Sequence, residues 1–166
     1  MGYSTDFMGS FKTNKPVDES TYKLLQGLAA TRRMKRSDLP EEYGVDGEFY
    51  IEDEENCGQS QSPKLGKIVN CNTPPSTQPG LWLQWIMLED HQTIEWDGNE
   101  KFYQYVEWIV YLIEKILKPR GYIVSGEVEW YGEDRNDEGI IKVEYNIVMV
   151  GTVEKKISKN WQVIKT

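Results

Sequence analysis

The stretch that decides the fold is Glu95–Asp134, EWDGNEKFYQYVEWIVYLIEKILKPRGYIVSGEVEWYGED. It opens on a strand end, runs through an apolar segment and closes on a second strand. Phe102, Val106, Ile109, Ile113 and Leu117 recur at helical spacing, and Tyr105, Trp108, Leu112 and Ile116 widen that stripe. A helix is expected from about Glu100 to Leu117, opened by Asp97-Gly98-Asn99 and stopped by Lys118-Pro119-Arg120-Gly121. So broad an apolar stripe predicts burial over more than half the helix girth.

Downstream, Tyr122–Tyr131 and Gly139–Val150 alternate as a hairpin joined by the charged loop Glu133–Glu138. One face reads Val124, Gly126, Val128 and Trp130, expected to meet Ile141, Val143, Tyr145 and Ile147. The other reads Ser125, Glu127 and Glu129 against Lys142, Glu144 and Asn146, with Glu129 opposite Lys142. Gly126 is expected to leave room for the helix. Upstream, Leu81–Met87 and Thr93–Trp96 form a hairpin across Glu89-Asp90-His91-Gln92. Pairing Trp85 with Trp96 and Met87 with Ile94 collects Leu83, Trp85, Met87, Ile94 and Trp96 on one face. Gln84, Ile86, Thr93, Glu95 and Asp97 then share the other, and a one-residue slip would mix the two sets.

Nearer the N-terminus, residues 3–13 read as a strand with a bulge at Gly9. Asp18 is a suitable N-cap for a helix to about Arg33 with Tyr22, Leu24, Leu25, Leu28 and Ala29 on its apolar side. The basic run from Thr31 to Arg36, TRRMKR, suits the C-terminal end of that helix dipole. Gly47–Glu52 reads as a strand, residues 53–80 as a long irregular loop, and a tail starts at about residue 152, with a last strand at Trp161–Ile164. The order predicts one α+β domain over residues 1–166, a mostly antiparallel β-sheet with two α-helices packed on one face.

Composition sets bounds on function. The 166 residues are 39% hydrophobic and include six Trp and ten Tyr, enough for a core and too apolar for global disorder. A net charge of -8 disfavours general nucleic-acid or anionic-membrane binding and suits a protein partner with a basic surface. No run of about eighteen apolar residues occurs. The start MGYSTDFMGSF has neither a charged n-region nor an apolar h-region, and Asp6 stands where a myristoylation signal needs Ser or Thr. A cytoplasmic location is expected, with Cys57 and Cys71 as reduced thiols.

The chemistry-bearing residues are few. Glu95, Asp97, Glu127, Glu129 and Glu144 share the outer face of the sheet if the two hairpins lie side by side. Such carboxylates can form a solvated face, an acidic protein-binding face, or a metal or acid–base site. Trp82 alternates away from the core and, with Gln84, joins the interaction candidates. Trp85, Trp96 and Trp130 point toward the main helix and read as core, or as the aromatic wall of a ligand pocket. The loop Glu133–Gly139 lacks the oxygen spacing of a calcium loop. His91 has no Ser or Cys motif beside it, and no phosphate-loop, dinucleotide or zinc-protease motif occurs. No catalytic residue, metal ligand or cofactor is expected.

Three segments together resemble a family of small uncharacterised proteins of bacteria and their phages: MGYSTDFMGSF, NKPVDESTYKLLQGLA, and above all QPGLWLQW…IEWDGNEKFYQYVEWIVYLI…LKPRGYIVSGEVEWYGED. The resemblance covers most of the chain outside residues 53–78 and the tail. It implies no activity and carries over no catalytic residue. Its phage association implies a small accessory protein, with inhibition of a host defence system as one role.

The expectation is therefore a non-enzymatic protein that binds another macromolecule, a host or phage protein with a basic surface, through acidic side chains. The alternative is a protein that binds or sequesters a small, nucleotide-like ligand, and a third is an enzyme using outer-face carboxylates and a metal. An exposed edge strand, with Trp82 and Ile86, would suit a homodimer.

Overall fold

A computed structural model describes residues 2–37, 40–42, 44–45, 68–70, 73–153 and 159–164. Phe7 and Phe11 alternate inward along β1, Thr5–Thr13, and place this strand at the centre of the molecule. On one side β1 pairs with β5, Thr93–Trp96, which pairs with β4, Trp85–Met87. On the other it pairs with β6, Val124–Gly132, followed by β7, Glu138–Glu144, β8, Ile147–Val153, and β9, Lys159–Val163. All pairings in this seven-stranded sheet are antiparallel. Two short strands, β2 (Lys35–Arg36) and β3 (Ile68–Asn70), pair separately. Helices α1, Glu19–Ala30, and α2, Tyr105–Tyr111, cover the face that carries Phe7, Phe11, Val128 and Ile141, so the fold is α+β with both helices on one face.

The hairpin β4–β5 has the expected register, Trp85 opposite Trp96 and Met87 opposite Ile94. Its inward aromatics build a knot around Phe7, whose ring centroid lies 5.3 Å from Trp85, 5.3 Å from Trp96 and 5.0 Å from Tyr105. Edge-to-face and tilted aromatic contacts of this kind add about 0.5–1.5 kcal/mol each beyond the area they bury. The Trp85 indole also donates to the Tyr105 carbonyl at 2.8 Å, which fixes where α2 begins. Asp18 caps α1, its carboxylate accepting from the Thr21 backbone N–H at 2.7 Å.

Several expectations are corrected. The main helix begins at Tyr105, not Glu100, because Lys101 (φ 63°) and Gln104 (φ 55°) are left-handed and no helix passes through them. After Tyr111 it widens into a π-helical stretch, Leu112–Leu117, that buries Leu112, Ile113, Ile116 and Leu117, and it ends in one 3₁₀ turn before Gly121. Gly9 is no bulge. Its ladder with β6 is unbroken, and its positive φ (116°) and missing side chain let the Glu127 carbonyl come close. Gly126 likewise makes room for the Ser10–Phe11 backbone of β1 and not for the helix.

In the β6–β7 hairpin, Lys142 stands opposite Glu127, and Glu129 opposite Ile140. Tyr145 and Asn146 leave the strand in a left-handed turn between β7 and β8, so Tyr145 and Ile147 are exposed where core contacts were expected. Asn146 earns its place there by accepting from the Val124 N–H at 2.7 Å and donating to the Tyr122 carbonyl at 3.1 Å. The run TRRMKR is not the C-terminal end of the helix. The helix stops at Ala30, Arg33 and Met34 are fully buried, and the Arg33 guanidinium donates to the Gln78 side chain at 2.8 Å. The expected strand Gly47–Glu52, both cysteines and residues 53–67 of the long loop lie outside the described residues. Strand β9 takes up the expected last strand.

Candidate functional site

Between the end of α1 and the segment leading into α2 lies a cavity of about 690 Å³, within the range that holds a small ligand. Two stretches of chain build it. The first runs from Pro79 to Gln84. The Pro79-Gly80 pair turns the chain, and the Arg33 backbone N–H then donates to the Leu81 carbonyl at 2.7 Å, fastening this stretch to the exit from α1. Leu83 is buried, while Trp82 is 37% exposed with the Arg32 guanidinium 5.9 Å from its ring centroid. Ala29 of α1 and Pro74 complete the apolar side.

The second stretch, Asp97–Gln104, forms the polar side. The Asp97 carboxylate accepts from the Asn99 N–H at 2.8 Å and from the Gln84 amide at 3.2 Å. The same Gln84 nitrogen donates to the Asn99 carbonyl at 2.9 Å, and the Trp96 indole reaches that carbonyl at 3.0 Å. One buried glutamine thus binds the two walls together. Beyond Asn99 the chain passes through left-handed Lys101 and Gln104, two non-glycine residues on the cavity wall. Backbone of this kind costs on the order of 1–3 kcal/mol per residue and persists only where surrounding contacts hold it. Part of that hold comes from the N-terminal segment, where the Tyr3 N–H donates to the Tyr103 hydroxyl at 3.0 Å. The Tyr3 hydroxyl in turn donates to Asp137 at 2.8 Å and accepts from the Asp134 N–H at 2.8 Å.

Behind Gly80 sits Trp108, fully buried in α2, whose indole N–H has no hydrogen-bond partner among the described residues. Buried donors are nearly always satisfied, so this one stands out.

The structure brings together Trp82, Gln84 and Asp97 at the cavity. It does not bring the remaining carboxylates to it. The hairpins β4–β5 and β6–β7 are not adjacent, because β1 runs between them, so Glu95 is separated from Glu127 and Glu129 by a whole strand. Glu127 and Glu129 stand on the outer face beside Ser10 and Met8 of β1. The Glu144 carboxylate lies 3.1 Å from Lys142, which also faces Glu127, so a cation stands within this acidic row. On the same face, partial burial and then the Glu129 carboxylate raise the Tyr131 hydroxyl above its ordinary range.

Trp85, Trp96 and Trp130 belong to the aromatic core and none of them lines the cavity. The Trp130 indole donates to Asp137 at 3.0 Å. His91 is stacked on Tyr22 with ring centroids 3.9 Å apart, and its Nε2 lies 4.0 Å from Glu19. Among the described residues no group of three or more His, Cys, Asp or Glu side chains is placed to hold a metal, and no helix is long and apolar enough to cross a membrane. Gly80, Lys101, Tyr103, Gln104 and Trp108 were not singled out from sequence as site residues. The Pro79-Gly80 dipeptide was the one available signal, since Lys and Gln are not residue types that announce a left-handed backbone. In comparison with known proteins, the chain matches no family model, no curated protein and no solved structure.

Proposed function

We propose that this is a non-enzymatic binding protein whose recognition site is the cavity between Pro79–Gln84 and Asp97–Gln104. The observation that supports it is a 690 Å³ space whose polar wall contains two left-handed, non-glycine residues, Lys101 and Gln104. Strained backbone held in place around a concave space is typical of sites prepared for a ligand. Leu81, Leu83 and the two prolines offer an apolar bed, Trp82 and Tyr103 aromatic edges, and Gln84, Asn99 and Gln104 hydrogen-bonding groups. The walls carry Asp97 and Glu100 against Lys101, which favours a neutral or cationic molecule with an apolar body over an anion. Soaking crystals with a fragment mixture tests this. Fragments gathering in this cavity are expected, and a cavity left empty while fragments bind elsewhere would refute the reading.

A second reading rests on the outer sheet face. There Asp6, Glu127, Glu129 and Glu138 stand beside Met8, which is 62% exposed, and the whole chain carries a charge of -8. A basic macromolecule would be recognised there, including the target of a defence inhibitor. Binding of polylysine that weakens with salt and with Glu127→Gln plus Glu129→Gln is the expected result, and salt-independent binding would count against it.

A further inference from the structure

The polar groups on the cavity walls do not all help to choose a ligand. Asn99 and Gln104 carry carboxamides and Tyr103 a hydroxyl, and each of these both donates and accepts. The Gln84 side-chain nitrogen is already committed, to the Asp97 carboxylate and to the Asn99 carbonyl. What discriminates is charge, carried by Asp97, Glu100 and Lys101. Glu100 and Lys101 are exposed, and the Lys101 stem lies against Gly2 of the N-terminal segment. Asp97 is half-buried and its carboxylate is oriented. The Asn99 N–H at 2.8 Å and the Gln84 amide at 3.2 Å both donate to the same oxygen, Oδ1. The other oxygen, Oδ2, makes no hydrogen bond or ion pair among the described residues. A carboxylate held through one oxygen, beside the apolar bed of Leu81 and Leu83, is thus fixed before any ligand arrives, and little ordering remains to oppose binding.

Resting on the cavity reading above, we propose that the ligand is an apolar-bodied amine, and that Asp97 anchors its ammonium group through Oδ2. One ammonium N–H donates to Oδ2, a charge-assisted bond that is shorter and stronger than a neutral one. The hydrocarbon body lies on the apolar bed formed by Leu81 and Leu83 and against the Trp82 ring. Glu100 adds attraction for the same positive charge from the wall, and Lys101 offsets part of it. A carboxylate or phosphate group would meet Asp97 and Glu100 as like charges, which suppresses its binding. An alcohol could donate to the same Oδ2, but without the charge that strengthens the bond. The site therefore prefers a cation at the end of an apolar body.

The test compares phenethylamine, an ammonium at neutral pH, with phenethyl alcohol, which has the same number of heavy atoms and no charge. Affinities for the full-length chain are measured by titration and read at the indole N–H of Trp82, which lines the cavity, so that binding at the acidic outer face is not counted. The native protein is expected to bind the amine about tenfold more tightly than the alcohol. Asp97→Asn keeps a carbonyl oxygen for the Asn99 and Gln84 donors and removes the charge. It should bring the two affinities within about twofold of each other, whereas Glu100→Gln, on an exposed side chain, should lower the ratio by about twofold or less. Equal affinities in the native protein would overturn the amine class while the cavity reading stands. A ratio that survives Asp97→Asn, or that Glu100→Gln abolishes instead, would overturn Asp97 as the anchor. If neither probe moves the Trp82 signal, the amine and the cavity reading fail together. Should Asp97→Asn not fold, salt decides with the native protein. The ratio must fall as salt rises from about 0.05 M to about 0.5 M, and a constant ratio would overturn the ion pair.

Discussion

Gly126→Ala should be among the most damaging small substitutions in this protein. Gly126 lies in the seam between the two central strands, where β1 and β6 are paired without interruption from Thr5–Gly132 to Thr13–Val124. Its φ is 144°, and a Cβ would collide with the Ser10 carbonyl and stand 2.8 Å from the Phe11 Cα. Neither obstacle is a side chain that can swing away. Phe11 is fully buried, and its ring centroid is 5.3 Å from that of Trp85, so β1 cannot shift without opening the aromatic knot. The unfavourable dihedral is worth about 1–3 kcal/mol, and forcing an atom into a packed seam adds about 1–3 kcal/mol. The sum, about 2–6 kcal/mol, is a large part of the 5–15 kcal/mol or so that stabilises a typical domain. Gly121→Ala is the matched control, because Gly121 has φ 86° with no atom within 4 Å of its Cβ position. It should lose only the left-handed strain, about 1–2 kcal/mol. Urea denaturation followed by tryptophan fluorescence measures both. Equal losses for the two variants would refute the close approach of β1 and β6.

The remaining predictions concern charge and capping. Hydrogen bonds from the Thr93 hydroxyl, then from the Thr93 and Gln92 backbone N–H groups, hold the Asp90 carboxyl down at about 2. Its folded value lies below the unfolded one, so the stability it contributes is complete above about pH 4 and is lost as pH falls through about 2. Asp90→Asn should flatten the acid limb of a stability–pH curve, and an acid limb parallel to that of the native protein would contradict the cap. Tyr105 is pushed up to about 12, chiefly by burial and then by the Asp137 and Glu107 charges. Its folded value lies above the unfolded one near 10, so its contribution is present below about pH 10 and lost toward pH 12. Tyr105→Phe should remove a tyrosinate absorbance step near pH 12, and an unchanged titration would refute the assignment. Asp18→Ala should destabilise by about 1 kcal/mol while Asp18→Asn changes stability by a few tenths, because asparagine caps the Thr21 N–H as well. Equal losses for the two would show that the cap is not what Asp18 supplies.

Much of the fold was readable because period and register leave few choices. Trp85, Met87, Ile94 and Trp96 could share a face in only one alignment, and that alignment is the one observed. The Asp18 cap and the stop at Lys118–Gly121 follow from residue types with local mechanisms. What escaped the sequence is non-local. Nothing in β1 announces that it separates the two hairpins, a placement that depends on Phe7 filling the space between Trp85, Trp96 and Tyr105. The Tyr145-Asn146 turn was hidden because tyrosine rarely takes a left-handed backbone, and the asparagine clasp to Val124 that stabilises it appears only in three dimensions. Arg33 read as part of a basic helix end because its partner, Gln78, lies far along the chain. The cavity was half legible. Trp82, Gln84 and Asp97 were singled out by strand alternation, whereas Lys101 and Gln104 flank Phe102 and Tyr105 of the apolar helical period and so read as the first turn of a helix that starts later.

The most direct test of the cavity as the recognition site is an isotope-labelled NMR titration with phenethyl alcohol, read at the indole N–H signals of the six tryptophans. The account predicts that the signal of Trp82, which lines the cavity, moves along one saturating curve. The Trp85 and Trp130 signals, bonded to the Tyr105 carbonyl and to Asp137, should hold still. Shifts confined to the outer sheet face around Met8 and Glu129, with Trp82 unmoved at saturation, would contradict it.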